Sequence, residues 1–271
     1  MRNAHVLTKS GLSNELRHLG VRSGSTVMFH VSVKALGWIV GGPDTIIDSL
    51  TQVIGTQGTL MMLVGWEESI YHFADWSLDK QRSYLEECPG FDPHRSRANR
   101  KWSIVTEYFR TRPGTLRSAH PESSFAASGK NAEKLTSDHP LQYGFGYGSP
   151  LETLIGLEGN ILMLGAPLNS ITLLHYAEFL ASVCDKRIVK YRMPILTNDK
   201  TEWVRIEEFD SSRGIVDWPS DYFEIIGSEY LKTGKAKSRR IGNAECFLFD
   251  AKDLVHFGVR WMETHFTKGS I

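Results

Sequence analysis

Cysteine is scarce in this chain of 271 residues. The only three are Cys88, Cys184 and Cys246, an odd number at wide spacing with no CxxC pair. This pattern excludes a disulfide framework and gives no support to a cysteine-ligated zinc site. Because disulfides are rare where thiols are kept reduced, the cysteine usage is typical of a cytosolic protein.

Net charge and long apolar runs are missing as well. Lys plus Arg and Asp plus Glu each number 31, so the formal charge is zero and no basic nucleic-acid-binding surface is indicated. No apolar run approaches the roughly 20 residues that span a bilayer, and the opening segment lacks the apolar core of a signal peptide. We therefore expect a cytoplasmic protein without nucleic-acid or membrane partners. The sequence leaves its oligomeric state open.

Several common site motifs are also absent. Neither GxGxxG nor GxxxxGK[ST] occurs, which disfavours a dinucleotide or nucleoside triphosphate site. There is no GxSxG elbow, which weakens the hypothesis of a serine hydrolase. We find no spaced cluster of His, Cys and acidic residues that fits metal ligation, so we expect an activity without a metal.

What is present fits an ordinary globular chain. Hydrophobic residues make up 41% and charged residues 23% of the sequence, which is enough to bury a sizeable core. No repeat, linker or low-complexity segment interrupts residues 1–271, so we expect a single domain. Strand-like runs at Thr26–Val33 and Thr59–Trp66 flank a helical pattern at Gly41–Ile54 that has proline in its first turn and ends at Gly55. This order predicts a parallel βαβ unit.

The second half continues the alternation of strands and helices. The predicted elements are a buried strand at Ile161–Pro167, a helix at Ser170–Val183, a hairpin formed by Arg187–Leu196 and Glu202–Asp210 about the Asn198–Asp199 turn, helices at Ser220–Thr233 and Ala251–Phe266, and a last strand at Glu245–Asp250. Together they predict an α/β sandwich whose mixed, partly parallel sheet is flanked by helices.

Residues 66–102 break this pattern. The segment is rich in aromatic residues, acids and turn formers, and we expect a long excursion with little regular core. Carboxylates beside aromatic rings suit a polycationic, sugar-like ligand, although most such residues in any protein are solvated surface. The candidates here and in a later acidic run are Trp66, Glu67, Tyr71, Asp75, Glu208 and Asp210.

The turn after the first strand is a candidate anion site. It carries His30, Ser32 and Lys34, and then Gly41 and Gly42 lead into a helix. Backbone N–H groups and the helix dipole at such a terminus favour a phosphate or pyrophosphate. A plain turn is the commoner meaning of a Gly-Gly-Pro sequence, and the spacing alone favours it.

Two histidines are candidate acid–base groups. His175 and Glu178 share one face of an otherwise apolar helix, so the carboxylate could orient the ring and leave its other nitrogen as a base. Two polar residues turned to solvent would give the same spacing. His120 is held extended by the following proline, with Glu122 nearby, and it could bind substrate or simply support a loop.

Several motifs occur in the order typical of one enzyme family. They are Leu19–Val21, Val27–Gly37, Arg117–Pro121, Leu164–Thr172, Leu174–Glu178, Phe209–Ser211 and Phe247–Ala251. Through them the chain resembles the aminoglycoside 3-N-acetyltransferases over nearly its whole length. It departs from the family's usual pattern at Val31, where a small residue commonly stands, and the segment after Trp66 matches less well.

The resemblance implies an α/β fold unlike that of GNAT acetyltransferases, acetyl-CoA as donor, and direct transfer to the 3-amino group of the drug's 2-deoxystreptamine ring, which confers resistance. It implies His175 as the base, oriented by Glu178, and contacts to coenzyme A from the His30–Ser32 and Asn169–Thr172 segments, with Asn169, Ser170 and Thr172 as the contact residues of the second. The acidic residues after Trp66 and at 207–210 would then hold the drug.

Two other functions stay open from the sequence. One is an acetyltransferase of the same fold that acts on another amine metabolite, because an acidic segment favours a polycation without naming it. The other is a non-catalytic module that binds coenzyme A or sequesters a drug, against which the intact His175 and Glu178 argue. Thiol release from acetyl-CoA with and without an aminoglycoside discriminates among the three.

Overall fold

A mixed sheet of seven strands, seen in the computed structural model of the chain, runs through the described residues 6–68, 73–218 and 221–266. Its order is β3-β4-β2-β1-β5-β9-β8, and a separate hairpin pairs β6 with β7. The strands are β1 Thr26–Val31, β2 Thr59–Leu63, β3 Leu116–Arg117, β4 Phe125–Gly129, β5 Asn160–Leu164, β6 Ile188–Thr197, β7 Lys200–Phe209, β8 Lys237–Ile241 and β9 Ala244–Asp250.

Helices cover the sheet. They are α1 Lys9–Leu19, α2 Val33–Leu36, α3 Gly42–Ile54, α4 Leu78–Glu87, α5 Val105–Arg110, α6 Ala132–Thr136, α7 Pro150–Gly156, α8 Leu174–Leu180, α9 Tyr222–Lys232 and α10 Ala251–His265, with 3-10 turns at Phe73–Asp75 and Leu168–Ser170. The predicted class is thus confirmed: a mixed α/β sheet flanked by helices.

The predicted βαβ unit is confirmed. Strand β1 runs parallel to β2, from which α3 separates it in sequence, and also parallel to β5 on its other side. The predicted first strand was two residues too long, because the Ser32 side chain caps α2 by accepting a hydrogen bond from the Ala35 N–H at 3.3 Å. The chain therefore turns away from the sheet as soon as β1 ends.

Side chains of the central strand alternate between two cores. Val27, Phe29 and Val31 pack on one side with the apolar residues of α1 and α3. Met28 packs on the other side with Met61 and with residues of α8, α9 and α10. Because β1 is buried on both faces, it reads as a continuous apolar run, as central parallel strands do.

The predicted hairpin is confirmed, with Asn198 and Asp199 at φ 49° and 60° in its two-residue turn. The predicted helix over Ser170–Val183 was wrong at both ends. Residues 168–170 form a 3-10 turn, Ile171 has a non-helical ψ of 86°, and α8 ends before Ala181, whose ψ of 132° is extended. Apolar spacing continued past the ends of α8 because the flanking residues are buried too.

Residues 66–102 contain a helix and part of a small core. Helix α4 lies within this segment, and Trp66 and Phe91 pack with Met193 and Ile206 of the hairpin. We call these four residues and their packing partners the satellite cluster. Phe91 is joined to the hairpin backbone as well, since its N–H donates to Pro194 O at 2.9 Å and its carbonyl accepts from Leu196 N–H at 2.9 Å.

In residues 6–68, 73–218 and 221–266, we find no helix that is both long and apolar enough to cross a membrane.

Candidate active site

A cleft of about 1110 Å³ lies where the parallel strands end. Its walls come from the residues after β1, β2 and β5, from the stretch 99–104, and from the turn that follows β7. The carboxyl ends of parallel strands meet at one edge of a sheet, which is where ligands usually bind in α/β proteins.

Ten of the predicted site residues line this cleft, although they come from five separate parts of the chain. They are His30, Ser32, Lys34, Glu67, Glu122, Asn169, Ser170, Thr172, His175 and Glu208.

The imidazole and carboxylate of α8 form a close pair. His175 Nδ1 lies 2.6 Å from Glu178 Oε2, and the side chains of His175 and Glu178 are 18% and 3% exposed. An ionised carboxylate only accepts, so Nδ1 carries the proton and donates it to this bond. The hypothesis that both side chains simply face solvent is therefore wrong.

Aromatic rings hold the imidazole in place. Phe145 stacks on His175 with ring centroids 4.9 Å apart and planes 17° apart, and Phe223 lies at 4.8 Å. On a neighbouring face of α8, Gly258 of α10 allows a close approach, because a Cβ there would lie 3.0 Å from Leu174 and 3.1 Å from Ala177. The pair is thus built on a helix packed firmly between the cleft and α10.

Tyr222 completes the pair and was missed in the sequence. Its hydroxyl donates to Glu178 Oε1 and accepts from the Ile215 N–H at 3.0 Å. The ring is 6% exposed and packs under Gly214, where a Cβ would stand 2.7 Å from it. Tyr222 lies 44 residues from Glu178, and no local pattern signals a contact over that separation.

A second buried carboxylate faces the same cleft. Glu208 is 3% exposed, and its Oε1 accepts from the Tyr191 hydroxyl at 2.6 Å. Its Oε2 has no hydrogen-bond partner among the described residues. Burial raises the pKa of Glu208 to about 7, against the opposing influence of Tyr191 and of a charge on His175.

The cleft also has cationic and apolar lining residues. Lys34 and Lys101 line it with Trp102, which is 48% exposed. His30 lies deeper, where its Nε2 is buried without a hydrogen-bond partner in the described part of the chain and burial lowers its pKa to about 4. Lys101, Trp102, Ser211, Ser212 and Phe223 also line the cleft and were missed, since each is an unremarkable residue in a loop or helix start.

Some predicted site residues support the structure instead. His120 is fully buried, where its Nδ1 accepts from the Ser123 N–H at 3.0 Å and its Nε2 faces Leu141 O at 3.3 Å, and burial holds its pKa well below the usual value. Asp210 accepts from the N–H and hydroxyl of Ser212, each at 2.9 Å, and so shapes the turn that lines the cleft. Neither belongs to the lining.

Four further predictions fall outside the lining among the described residues. Trp66 is buried in the satellite cluster, and Asp75 is exposed in a 3-10 turn. Gly41 and Gly42, at φ 81° and 66°, form the turn that enters α3. Tyr71 lies outside the residues that the structure describes.

Within the described ranges, no group of three or more His, Cys, Asp or Glu side chains is arranged to hold a metal ion. The activity without a metal stays a prediction.

Fold and cleft together are those of an α/β enzyme that acts on small molecules in a pocket with an imidazole–carboxylate pair. A family model described as aminoglycoside 3-N-acetyltransferase matches residues 28–263. The chain belongs to this family and is an acyltransferase.

Individual relatives are similar to this chain over almost their full length. Aminoglycoside N(3)-acetyltransferase III of Pseudomonas aeruginosa is 43% identical over 261 residues, which cover 96% of this chain and 94% of the relative. A structure described as AAC-IIIb binary with CoASH has a TM-score of 0.91 at 42% identity, covering 98% of this chain and 100% of that one. Another, AAC-VIa bound to sisomicin, has a TM-score of 0.88 at 37% identity, and the match covers 95% of this chain and 97% of that one.

Proposed function

We propose that this chain transfers the acetyl group of acetyl-CoA to the 3-amino group of the 2-deoxystreptamine ring of aminoglycosides, and so confers resistance to them. His175 is the general base in this proposal, and Glu178 orients it. The observation that carries the proposal is the 2.6 Å bond between His175 Nδ1 and Glu178 Oε2 beside the cleft.

The pair supplies what the reaction needs. An aminoglycoside amine is largely protonated near neutral pH, whereas only the neutral amine attacks a thioester. Because Nδ1 is bonded to Glu178, Nε2 is the nitrogen of His175 that can take a proton from the amine. His175 holds that proton while the neutral amine forms the N–C bond and the C–S bond breaks, and it returns the proton to the departing sulfur. The second proton that the nitrogen loses as the amide forms is released to solvent. The products are an amide and a thiol.

The cleft fits acetyl-CoA, which supplies the acetyl thioester. Lys34 and Lys101 offer two cations to its phosphates, and the exposed ring of Trp102 offers a surface for its adenine. The unpartnered Nε2 of His30 is a polar group suited to the amide-bearing arm of the coenzyme. The relative described with CoASH supports the same co-substrate.

Carboxylates in the same cleft suit a cationic drug. Glu208 offers an unpartnered oxygen, and Glu122 and Glu67 line the cleft beside it. Arg100 binds Glu67 with an N–O distance of 2.7 Å, so Glu208 is a stronger candidate than Glu67 for an ammonium group. A relative described as bound to sisomicin supports this substrate class.

Replacing the base tests the mechanism. We expect His175→Ala to lower kcat by roughly 10²–10⁴-fold, the usual contribution of a general base, with little change in the KM for acetyl-CoA. Thiol release from acetyl-CoA is measured with gentamicin-type, kanamycin-type and neomycin-type drugs, and product regiochemistry by NMR. His18→Ala, which changes an exposed histidine on α1, is the matched control.

The outcomes distinguish the proposed function from its two alternatives. A folded His175→Ala protein with near wild-type kcat would overturn the general-base role. Release with simple amines alone would favour the related acetyltransferase of another amine, and release with no amine would favour the binding module. For resistance, the drug concentration that stops growth of a susceptible bacterium should rise with the wild-type protein and not with His175→Ala.

A further inference from the structure

Tyr222 touches the carboxylate of the catalytic pair from the side away from the imidazole. Glu178 uses Oε2 for His175 Nδ1 and Oε1 for the Tyr222 hydroxyl, so each carboxylate oxygen has one donor. The Tyr222 hydroxyl is itself held by the Ile215 N–H at 3.0 Å. A chain of three hydrogen bonds therefore runs from a backbone amide to the imidazole.

The surroundings keep this hydroxyl a donor. Burial raises the pKa of Tyr222 far above its ordinary value, and the neighbouring charge of Glu178 raises it further. The ring packs against Phe223 and Phe266, with centroids 5.3 Å and 5.1 Å away. Gly214, at φ 78°, leaves the space the ring occupies, since any Cβ there would stand 2.7 Å from it.

We propose that Tyr222 is a positioning residue for acetyl transfer. Its hydroxyl holds the Glu178 carboxylate in the one rotamer that faces His175 Nδ1, and it draws part of the carboxylate's charge away from the imidazole. This inference rests on the proposed role of His175 as general base. Tyr222 does not reach the cleft itself, since it is not among the described residues that line it.

The withdrawal of charge from the Glu178 carboxylate by Tyr222 has a definite direction. A donor to Oε1 weakens the attraction between the carboxylate and an imidazolium at Nδ1, so it favours neutral His175. Other charges face the pair from neighbouring elements: Glu208 from β7, and Lys186 and Arg187 before β6, which act on Glu178 and Tyr222. All three remain in a Tyr222 variant, so a change in pH dependence reports on the hydroxyl.

Tyr222→Phe removes the hydroxyl and keeps the ring. We expect kcat/KM at pH 7 to fall roughly tenfold, the usual size of a lost hydrogen bond to a charged group. The loss should lie in kcat, with the KM for acetyl-CoA unchanged. The acid limb of the kcat/KM profile should move up by about one pH unit, because imidazolium is better stabilised once Glu178 loses its other donor.

Tyr230→Phe is the matched control. Tyr230 lies on the same helix α9, is buried, and donates to Asp253 Oδ2 at 2.6 Å, and neither residue is among the described residues that line the cleft. Both variants lose one tyrosine–carboxylate bond, and Tyr222→Phe also loses the bond from the Ile215 N–H, so Tyr222→Phe should lose at least as much thermal stability as Tyr230→Phe. Only Tyr222→Phe should change the pH profile. An unchanged acid limb, or equal kinetic effects in the two variants, would overturn the inference.

A double-mutant cycle removes the remaining ambiguity, since Tyr222→Phe also leaves the Ile215 N–H without its acceptor. In a Glu178→Gln background, Tyr222→Phe should cost little further kcat/KM if the tyrosine acts through Glu178. The same tenfold loss in both backgrounds would assign Tyr222 a purely structural role and overturn the inference. The proposed function fails separately, if His175→Ala keeps wild-type kcat.

Discussion

Two adjacent glutamates on β7 have opposite environments. Glu207 is bound by Lys190 and the Tyr143 hydroxyl, each at 2.7 Å, near the surface. Glu208 points to the other face, is buried, and keeps one oxygen for a ligand. A strand turns successive side chains to opposite faces, so one position decides between a surface ion pair and a group in the cleft.

Neutralising Glu208 should weaken binding of the drug but not binding of acetyl-CoA. We expect Glu208→Gln to raise the aminoglycoside KM roughly tenfold or more, because a buried charge pairs with an ammonium more strongly than an exposed one, whose usual contribution is about 0–1 kcal/mol. The KM for acetyl-CoA should not change. Glu207→Gln is the matched control, and equal drug KM values in the two variants would place Glu208 outside the drug site.

The same variant should alter stability with pH. The pKa of Glu208 is raised to about 7 in the fold, so the folded state binds more protons than the unfolded state between about pH 4.5 and 7. Glu208 therefore lowers stability as pH rises through this window. The wild type should therefore lose about 1–3 kcal/mol of its free energy of unfolding between pH 5 and pH 8 through Glu208, and Glu208→Gln should lack this loss. Urea unfolding of both proteins at the two pH values measures the difference.

At the scale of elements, one short helix bears the proposed catalytic pair and depends on its neighbour. Helix α8 has seven residues, and its N-terminus has no side-chain cap, so its stability comes from packing and not from local signals. It packs on α10 at Gly258, where the two helices approach closely. The orientation of His175 is consequently a property of the α8–α10 contact.

Enlarging Gly258 should therefore act on both stability and catalysis. A Cβ there already meets Leu174 and Ala177 at 3.0 and 3.1 Å, and the branched side chain of Gly258→Val would push α8 away. We expect a loss of about 1–3 kcal/mol of stability and a lower kcat. Gly156→Val on α7 is the control, since nothing lies within 4 Å of a Cβ at Gly156. Similar Tm and kcat in both variants would contradict this account.

At the scale of the whole molecule, the main sheet and the satellite cluster are separate packing units that share the cleft. The sheet provides His30 and, through the segment after β5, His175. The hairpin provides Glu208 and packs through the satellite cluster onto the segment that provides Glu67. The Arg117 guanidinium links the units, since it donates to Ser96 O and Gly65 O and lies 4.7 Å from the Phe91 ring.

Phe91→Ala should loosen the satellite unit and spare the sheet. Removing a buried phenylalanine costs about 3–5 kcal/mol, here confined to residues 78–97 and to the hairpin. Hydrogen exchange should quicken there and stay slow in β1 and β5, while the drug KM rises and the acetyl-CoA KM does not. Phe109→Ala, in the main core, should instead quicken exchange throughout. Uniform exchange in Phe91→Ala would show that the two units unfold together.

Local pattern was enough for much of this protein. The separate elements of the βαβ unit, the Asn198–Asp199 turn of the hairpin and the spacing of the His175–Glu178 pair each leave a signal within a short stretch of sequence. Two strands were not predicted from the sequence. Strand β4 consists mostly of small residues, FAASG, and β3 has only two residues, so neither shows an alternating apolar pattern. That residues 1–271 form a single domain stays a prediction.

Tertiary packing decided the remainder of the site. His120, Trp66 and Asp210 are the kinds of residue that bind ligands, yet each is enclosed by partners that the sequence does not place beside it. Tyr222 reaches Glu178 across 44 residues, and Glu208 faces the cleft because the hairpin packs in one orientation. Burial and long-range contacts depend on the whole arrangement of elements. Which side chains are removed from water is decided by which surfaces pack against each other, and the identity of a single residue does not determine this.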